Sequence, residues 1–239
     1  MTVVLSDFSS LMPYLDGTKF DENLKVKYSK CGNIEHRIDV IIALCKSRRV
    51  LHVGCTDHVS LIESKIAHGE WLHGLVTEHS SYTLGVDVDG HAVHEASRLS
   101  NLQNMIVGDI TAAETIPEIS EQKFDIALFG EVVEHIPNPG DFLKSFRQNY
   151  GRNFDKVIIT VPNAFRGGNI KNILVNAETI NSDHRFFFTP YTLSKIVVDA
   201  GYRPESVRMA SFTRCGRLKS WILNSRPLLA EDIILIAAD

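Results

Sequence analysis

The sequence predicts an α/β fold in which a mostly parallel, seven-stranded sheet carries helices on both faces. Three observations predict it. Between residues 34 and 161, short apolar runs alternate with segments whose apolar residues recur at helical spacing, which implies strand–helix–strand units with right-handed crossovers. Each of the first four apolar runs ends at a glycine or an acid, at Gly54, Asp87, Asp109 and Gly130. The run at 156–161 is almost continuously apolar, as a strand covered on both faces must be. With 239 residues, 44% of them apolar, the chain can bury one sizeable core. A single domain over residues 34–239 is therefore expected, preceded at 1–33 by an N-terminal arm or lid.

Taken in order, residues 1–33 mix acids, lysines and the isolated aromatics Phe8, Tyr14, Phe20 and Tyr28 without a sustained period, which leaves an irregular arm and a short helical lid both open. Ile34, Ile38, Ile41, Ile42 and Cys45 fall on one helical face, so a helix is expected over 34–44. Val50, Leu51 and Val53 form a first strand that stops at Gly54 and gives way to the polar turn CTDH. Residues 59–79 divide into two helical pieces near His68 and Gly69. Strands at 82–86 and 105–107 follow, with a helix over 90–99 between them.

A fourth strand, 124–129, delivers Glu131, Glu134 and His135 just past its end, before Pro137 and Pro139 break the chain and a helix resumes over 141–148. Ionisable groups crowded at the C-terminal end of a buried strand stand where open α/β sheets keep their chemistry. The long connection 163–185, with Gly167 and Gly168, is of a length that is usually functional or mobile. Thr189 as cap and Pro190 in the first turn start a helix through Val198 that Gly201 ends, and two closing strands fit 207–212 and 233–237.

Composition narrows the function. Net charge is −4 with no long basic run, so duplex nucleic acid, whose binding rests on phosphate neutralisation, is not an expected partner. Cys31, Cys45, Cys55 and Cys215 are scattered with no CxxC pair, which points to a reduced, cytoplasmic protein. Residues 1–15 lack a basic opening and a cleavage pattern, and no apolar run is long enough to span a bilayer, so neither export nor a transmembrane segment is expected.

In order and spacing, VLHVGCTDH, LGVDVD, VGDI and FDIALFGEVVEHIPNPGDFL resemble the motifs of class I S-adenosylmethionine-dependent methyltransferases, over most of the chain from Ile34 onward. The resemblance implies a Rossmann-like fold and S-adenosyl-L-methionine as cofactor. It also implies cofactor-binding roles for Gly54, Cys55, Asp87, Val88, Asp109, Ile110 and Gly130. Gly54 would admit the backbone close to the methionine part, and Asp87 would accept from both ribose hydroxyls. Asp109 would take the adenine amino group, with Val88 and Ile110 against the ring. The loop departs from the family in having Cys55, Thr56, Asp57 and His58 where further glycines are usual, so the Cys55 side chain must point away from the cofactor or the site is altered.

GEVVEHIPNPGDFL, the later PNA and HRFFFTPYTL look most like small-molecule and sugar-modifying members, including those of surface-polysaccharide clusters. The expectation is O-methylation of a small polar acceptor such as a sugar or a nucleotide-sugar or glycan precursor, with His135 as base beside Glu131 and Glu134. A second arrangement stays open. ExxEH with the distant His184 resembles the metal site of small-RNA 2′-O-methyltransferases, which makes Glu131, Glu134, His135 and His184 candidate ligands for Mg²⁺, Mn²⁺ or Zn²⁺ and an RNA end the alternative acceptor. An inactive, cofactor-binding partner subunit is the third alternative. Between residues 203 and 226 six cations, among them Arg214 and Arg217, face the single acid Glu205. They suit a phosphorylated acceptor, or a solvated face, while Trp221, Ile222 and Leu223 beside them suit a homodimer contact or a membrane surface.

Overall fold

The computed structural model describes residues 3–30 and 32–239, so Cys31 lies outside the described residues. The strands are β1 (Val3–Leu5), β2 (Glu35–His36), β3 (Arg49–Val53), β4 (Tyr82–Asp87), β5 (Met105–Val107), β6 (Phe124–Gly130), β7 (Phe154–Pro162), β8 (Arg203–Ser211) and β9 (Asp232–Ala238). The helices are α1 (Met12–Leu15), α2 (Arg37–Cys45), α3 (Val59–Ala67), α4 (Leu72–His79), α5 (Gly90–Ser100), α6 (Pro117–Ser120), α7 (Pro139–Tyr150), α8 (Gly167–Leu174), α9 (Pro190–Asp199) and α10 (Arg217–Ser225).

Among the described residues all nine strands join one sheet, in the order β1-β8-β9-β7-β6-β3-β4-β5, with β2 also on β8. The expected count of seven is corrected to nine. The additions, β1 antiparallel and β2 parallel, line successive stretches of the outer edge of β8, and at two or three residues they are too short to show an alternating pattern. Nor is the sheet parallel throughout, because β9 runs antiparallel between β7 and β8. The helix expected from Ile34 begins at Arg37 instead, since Glu35 and His36 pair with Ala210 and Ser211.

Strand alternation sorts the interior into two layers. Leu51, Val53, Ala127, Phe129, Val157, Ile159, Ile233 and Leu235 face one way, where α7 supplies Leu143, Phe146 and Tyr150 and α9 supplies Leu193 and Val197. Val50, Ile126, Leu128, Ile158, Ile234 and Ile236 face the other, onto Val40, Ile41 and Cys45 of α2 and Val76 of α4. Each central strand is thus apolar on both faces, which is why 156–161 has no polar alternation. Of the N-terminal arm, Val4, Phe8, Leu11 and Leu15 are buried in the first layer, and Lys195 of α9 donates to the Tyr14 and Leu15 carbonyls at 3.2 and 2.9 Å. Among the described residues no helix is long and apolar enough to cross a membrane.

Candidate functional site

The C-terminal ends of β3, β4, β6 and β7 share one edge of the sheet, because these strands run in the same direction. Chemistry-bearing side chains collect there. After β3 the backbone turns at Gly54 with φ +67°, and a Cβ at this residue would lie 2.4 Å from Val132 Cγ2. Glycine is required twice over, by the left-handed backbone and by the valine of the β6 tip that closes on it. Cys55, which stands where further glycines are usual, is buried, and its thiol packs beneath the loop against Gly85, in an apolar cluster with Ile62 of α3, Trp71 and Ala92, Val93 and Ala96 of α5. Burial, and then the Asp87 charge, push that thiol up and keep it protonated. Only the Cys55 backbone remains for the outer side of the loop.

Asp87 ends β4 and reaches back to this loop. Its Oδ2 accepts from the Thr56 hydroxyl at 2.7 Å and the Thr56 N–H at 3.2 Å, and its Oδ1 accepts from the Asp89 N–H at 3.1 Å. The cap of α5 is Asp89, which accepts from the N–H groups of His91 and Ala92. Asp87 is therefore not a helix cap, and its carboxylate fixes the neighbouring loop. Val88 beside it is exposed. Asp109 accepts from the Thr111 N–H and hydroxyl at 2.8 and 2.6 Å, which makes a local turn, while Ile110 is buried in the first layer. Gly130 ends β6 where a Cβ would meet Leu72 Cδ2 at 2.7 Å.

The β6 tip separates its two glutamates. Glu131 adopts φ +59°, and Thr160 of β7 both accepts from its N–H and donates to its Oε1 at 2.9 Å. Arg37, at the start of α2, lies 3.4 Å from the same oxygen and 3.4 Å from Asp232 Oδ2 at the start of β9. Burial, and then the Glu131 charge, hold the Asp232 carboxyl well above the usual range. Glu131 is thus anchored inward to an arginine and a hydroxyl.

Glu134 is placed otherwise. It is fully buried in the single turn Val133–His135, and among the described residues neither carboxyl oxygen has a hydrogen-bond partner. Burial, and then the like charge of Glu131, push its carboxyl up to about 9. The Nε2 atoms of His135 and His184 each lie 4.0 Å from Glu134 Oε1, and the two rings meet edge to face at 4.6 Å between centroids.

His184 arrives on the long connection after β7, and the chain is pinned at both ends of that loop. Asn163 bridges Phe188, Ala164 donates to the Phe188 carbonyl at 2.8 Å, and Phe188 is buried. Nearer the cluster, the Arg185 N–H donates to the Glu134 carbonyl at 2.9 Å and its guanidinium donates to the His135 carbonyl. Burial, and then His135, hold the His184 imidazole below its usual range, so it presents a lone pair at neutral pH. A cavity of about 490 Å³ opens here, lined by His135, Ser182, Asp183, His184 and Arg185.

Of the four residues expected as metal ligands, the structure brings together Glu134, His135 and His184, whose ligand atoms all lie within 4.8 Å of one another. Glu131 does not join them, because Arg37 and Thr160 hold it. The donor set fits a divalent cation, since two imidazoles and a carboxylate suit Mn²⁺ or Zn²⁺, and a cation would satisfy the Glu134 carboxyl that otherwise must keep its proton.

Sequence reasoning missed Arg37, Thr160, Val132 and Asp232. Asp232 left a trace, as the one acid in the otherwise apolar strand DIILIAA. The cations after β8 are partly neutralised from outside their own segment, Arg214 by Asp39 at 3.4 Å and Lys219 by Glu231 at 2.7 Å.

Residues 34–207 match a family model described as a methyltransferase domain. No protein of curated function matches the chain by sequence. Among solved structures, the small RNA methyltransferase HEN1 is similar over 92% of this chain, with 15% identity and a TM-score of 0.57. The chain spans only 27% of that protein's length. Magnesium protoporphyrin IX methyltransferase from Synechocystis PCC 6803, with bound SAH, is similar over 84% of this chain and 81% of its own, with 15% identity and a TM-score of 0.52. A methyltransferase from Thermotoga maritima, described as a possible histamine N-methyltransferase, is similar over 84% and 86%, with 13% identity and a TM-score of 0.54. At these identities the likeness is one of fold.

Proposed function

The chain belongs to the methyltransferase-domain family and is an S-adenosylmethionine-dependent methyltransferase, and we propose that it methylates a hydroxyl of a vicinal diol on a small polar, sugar-like acceptor, aided by a divalent cation held by Glu134, His135 and His184. The observation that carries this reading is the orphaned, fully buried Glu134 carboxyl facing two imidazoles. A carboxyl in that position is costly unless it stays protonated or meets a cation.

The cofactor supplies an electrophilic methyl group on its sulfonium. Such a cation, when bound, would lower the pKa of a hydroxyl that contacts it. The chain's own residues do the rest. Asp87 and Thr56 order the loop at Gly54, where the methionine part would lie, and Val132 fixes the distance between that loop and the β6 tip. Glu131, held by Arg37 and Thr160, keeps the tip in its left-handed turn, so that Glu134 and His135 point to the same side. Arg185 ties the His184 loop over them. With the cofactor bound, an acceptor hydroxyl in the cavity at His135 and His184 would be in place to take its methyl group, the hydroxyl proton passing to solvent at the cavity mouth.

A second reading is favoured by the likeness to HEN1 together with the ExxEH and His184 set, namely a 2′-hydroxyl at an RNA end, which is also a vicinal diol. One experiment tests the shared chemistry. Chelated protein is titrated with Mn²⁺ and Zn²⁺ while binding is read by calorimetry and thermal shift, and methyl transfer from labelled cofactor is followed on metabolite extracts and on short RNA. Saturable binding that Glu134→Gln abolishes, with activity that tracks metal, is expected. Full activity in chelator with no metal binding would return His135 to the role of a simple base.

A further inference from the structure

Two helices at the catalytic edge present apolar side chains to solvent. α8 leaves β7 and α10 leaves β8, and because both strands are antiparallel to β9 the helices emerge at the same edge as Glu134 and His135. In α10, Leu223 is the buried anchor, while Leu218 and Trp221 are 72% and 70% exposed and Ile222 follows on the same outer face. α8 has no buried residue, and Ile173 and Leu174 at its end are 74% and 81% exposed. Leu218, Trp221 and Ile222, at i, i+3 and i+4, share one face of α10, and side chains of this size are not grouped in water without consequence.

The charge around α10 says what covers it. Residues 206–230 contain Arg208, Arg214, Arg217, Lys219 and Arg226 and no acid, in a chain of net charge −4. Arg214 and Lys219 have acidic partners in Asp39 and Glu231, whereas Arg217 and Arg226 make no ion pair among the described residues. An exposed apolar stripe bearing a tryptophan and flanked by cations is the pattern of a helix lying in a bilayer interface. A second copy fits less well. A two-fold contact through this face would set two such groups of cations against each other.

We propose that α10 docks the catalytic edge on an anionic lipid surface, with Leu218, Trp221 and Ile222 among the headgroups and Arg217 and Arg226 against their phosphates. The docking holds whichever hydroxyl is methylated. It brings the cavity at His135 and His184 towards the bilayer, where a lipid-borne acceptor is within reach.

The test uses the whole protein with vesicles of phosphatidylcholine alone or mixed with phosphatidylglycerol. The chain has two tryptophans, Trp71 is buried, and the emission shift therefore reports Trp221. Flotation with the anionic vesicles, a blue shift and weakening by salt are expected, with little binding to the neutral ones. Removing a cation at an anionic surface should weaken partition about fivefold, so Arg217→Gln with Arg226→Gln should weaken it roughly 25-fold. Leu218→Ser with Trp221→Ser should weaken it more than about tenfold, with thermal melting of both variants unchanged. Absence of binding to anionic vesicles, or equal binding by the arginine variant, overturns the proposal. So does a lipid-free dimer that Trp221→Ser disperses, since the face would then belong to a second copy.

Discussion

Replacing Gly54 by alanine tests the junction between the β3 loop and the β6 tip. The residue has φ +67°, and holding a side chain in that left-handed region costs about 1–2 kcal/mol. The new Cβ would also lie 2.4 Å from Val132 Cγ2, an overlap whose relief adds about 1–3 kcal/mol. The sum, about 2–5 kcal/mol, is a large part of the stability of a typical domain. Val132→Ala removes the clashing methyl but leaves the backbone unchanged, so it should recover the second part and not the first. Urea unfolding of wild type, both single variants and the double variant gives the coupling, expected at about 1–3 kcal/mol in favour of the double. Calorimetry with S-adenosylhomocysteine on the folded variants adds a second readout, since a displaced loop should bind it more weakly. A coupling within the ~0.5 kcal/mol typical of independent sites would refute the contact.

Asp87→Ala should weaken S-adenosylhomocysteine by about 1.5–3 kcal/mol, the worth of hydrogen bonds to a charged group, and unchanged affinity by calorimetry would remove Asp87 from the cofactor site. Glu134 makes stability depend on pH with a definite sign. Its folded value of about 9 exceeds the ordinary 4.5, so the native protein keeps a proton that the unfolded chain releases. In chelator, the Glu134 contribution to stability should therefore be complete below the ordinary value and be lost by up to ~1.4 kcal/mol per pH unit as pH rises towards about 9, and Glu134→Gln should remove that part of the slope while leaving the part due to Asp232. Superimposable urea-unfolding profiles of the two proteins from acid to mildly alkaline pH would show that Glu134 does not hold the proton.

The sheet was legible because its strands are apolar on both faces and its helices on one, a contrast that Ile158 beside Ile159 or Phe146 beside Arg147 writes directly into the chain. β1 and β2 were not, since their hydrogen bonds are backbone bonds to β8 and no side-chain alternation is needed for two or three residues. The place of the Cys55 thiol is also set from a distant segment, because Gly85 of β4 leaves room below the loop for it. The convergence of Glu134, His135 and His184 was foreseen only through the resemblance, as spacing cannot bring residue 184 back to 135. The separation of Glu131 from them could not be read at all, for it depends on Arg37 and Thr160, which belong to distant segments.

That separation is what makes the cluster specific. Two glutamates three residues apart on a buried turn would repel, and each would favour the protonated form of the other. Arg37 and Thr160 draw Glu131 to the sheet, where Asp232 completes an internal network around the guanidinium. No comparable partner is supplied to Glu134, although it is the more deeply buried of the two. Had the role of Glu134 been only to orient His135, a hydrogen bond between them would be the economical solution, yet their nearest ion-pair atoms are 4.0 Å apart with His184 equally distant on the other side. A carboxyl equidistant from two imidazole nitrogens and bonded to neither leaves room for a small positive species among the three, and it is this spacing, more than the identity of the residues, that favours a cation over a simple base at the β6 tip.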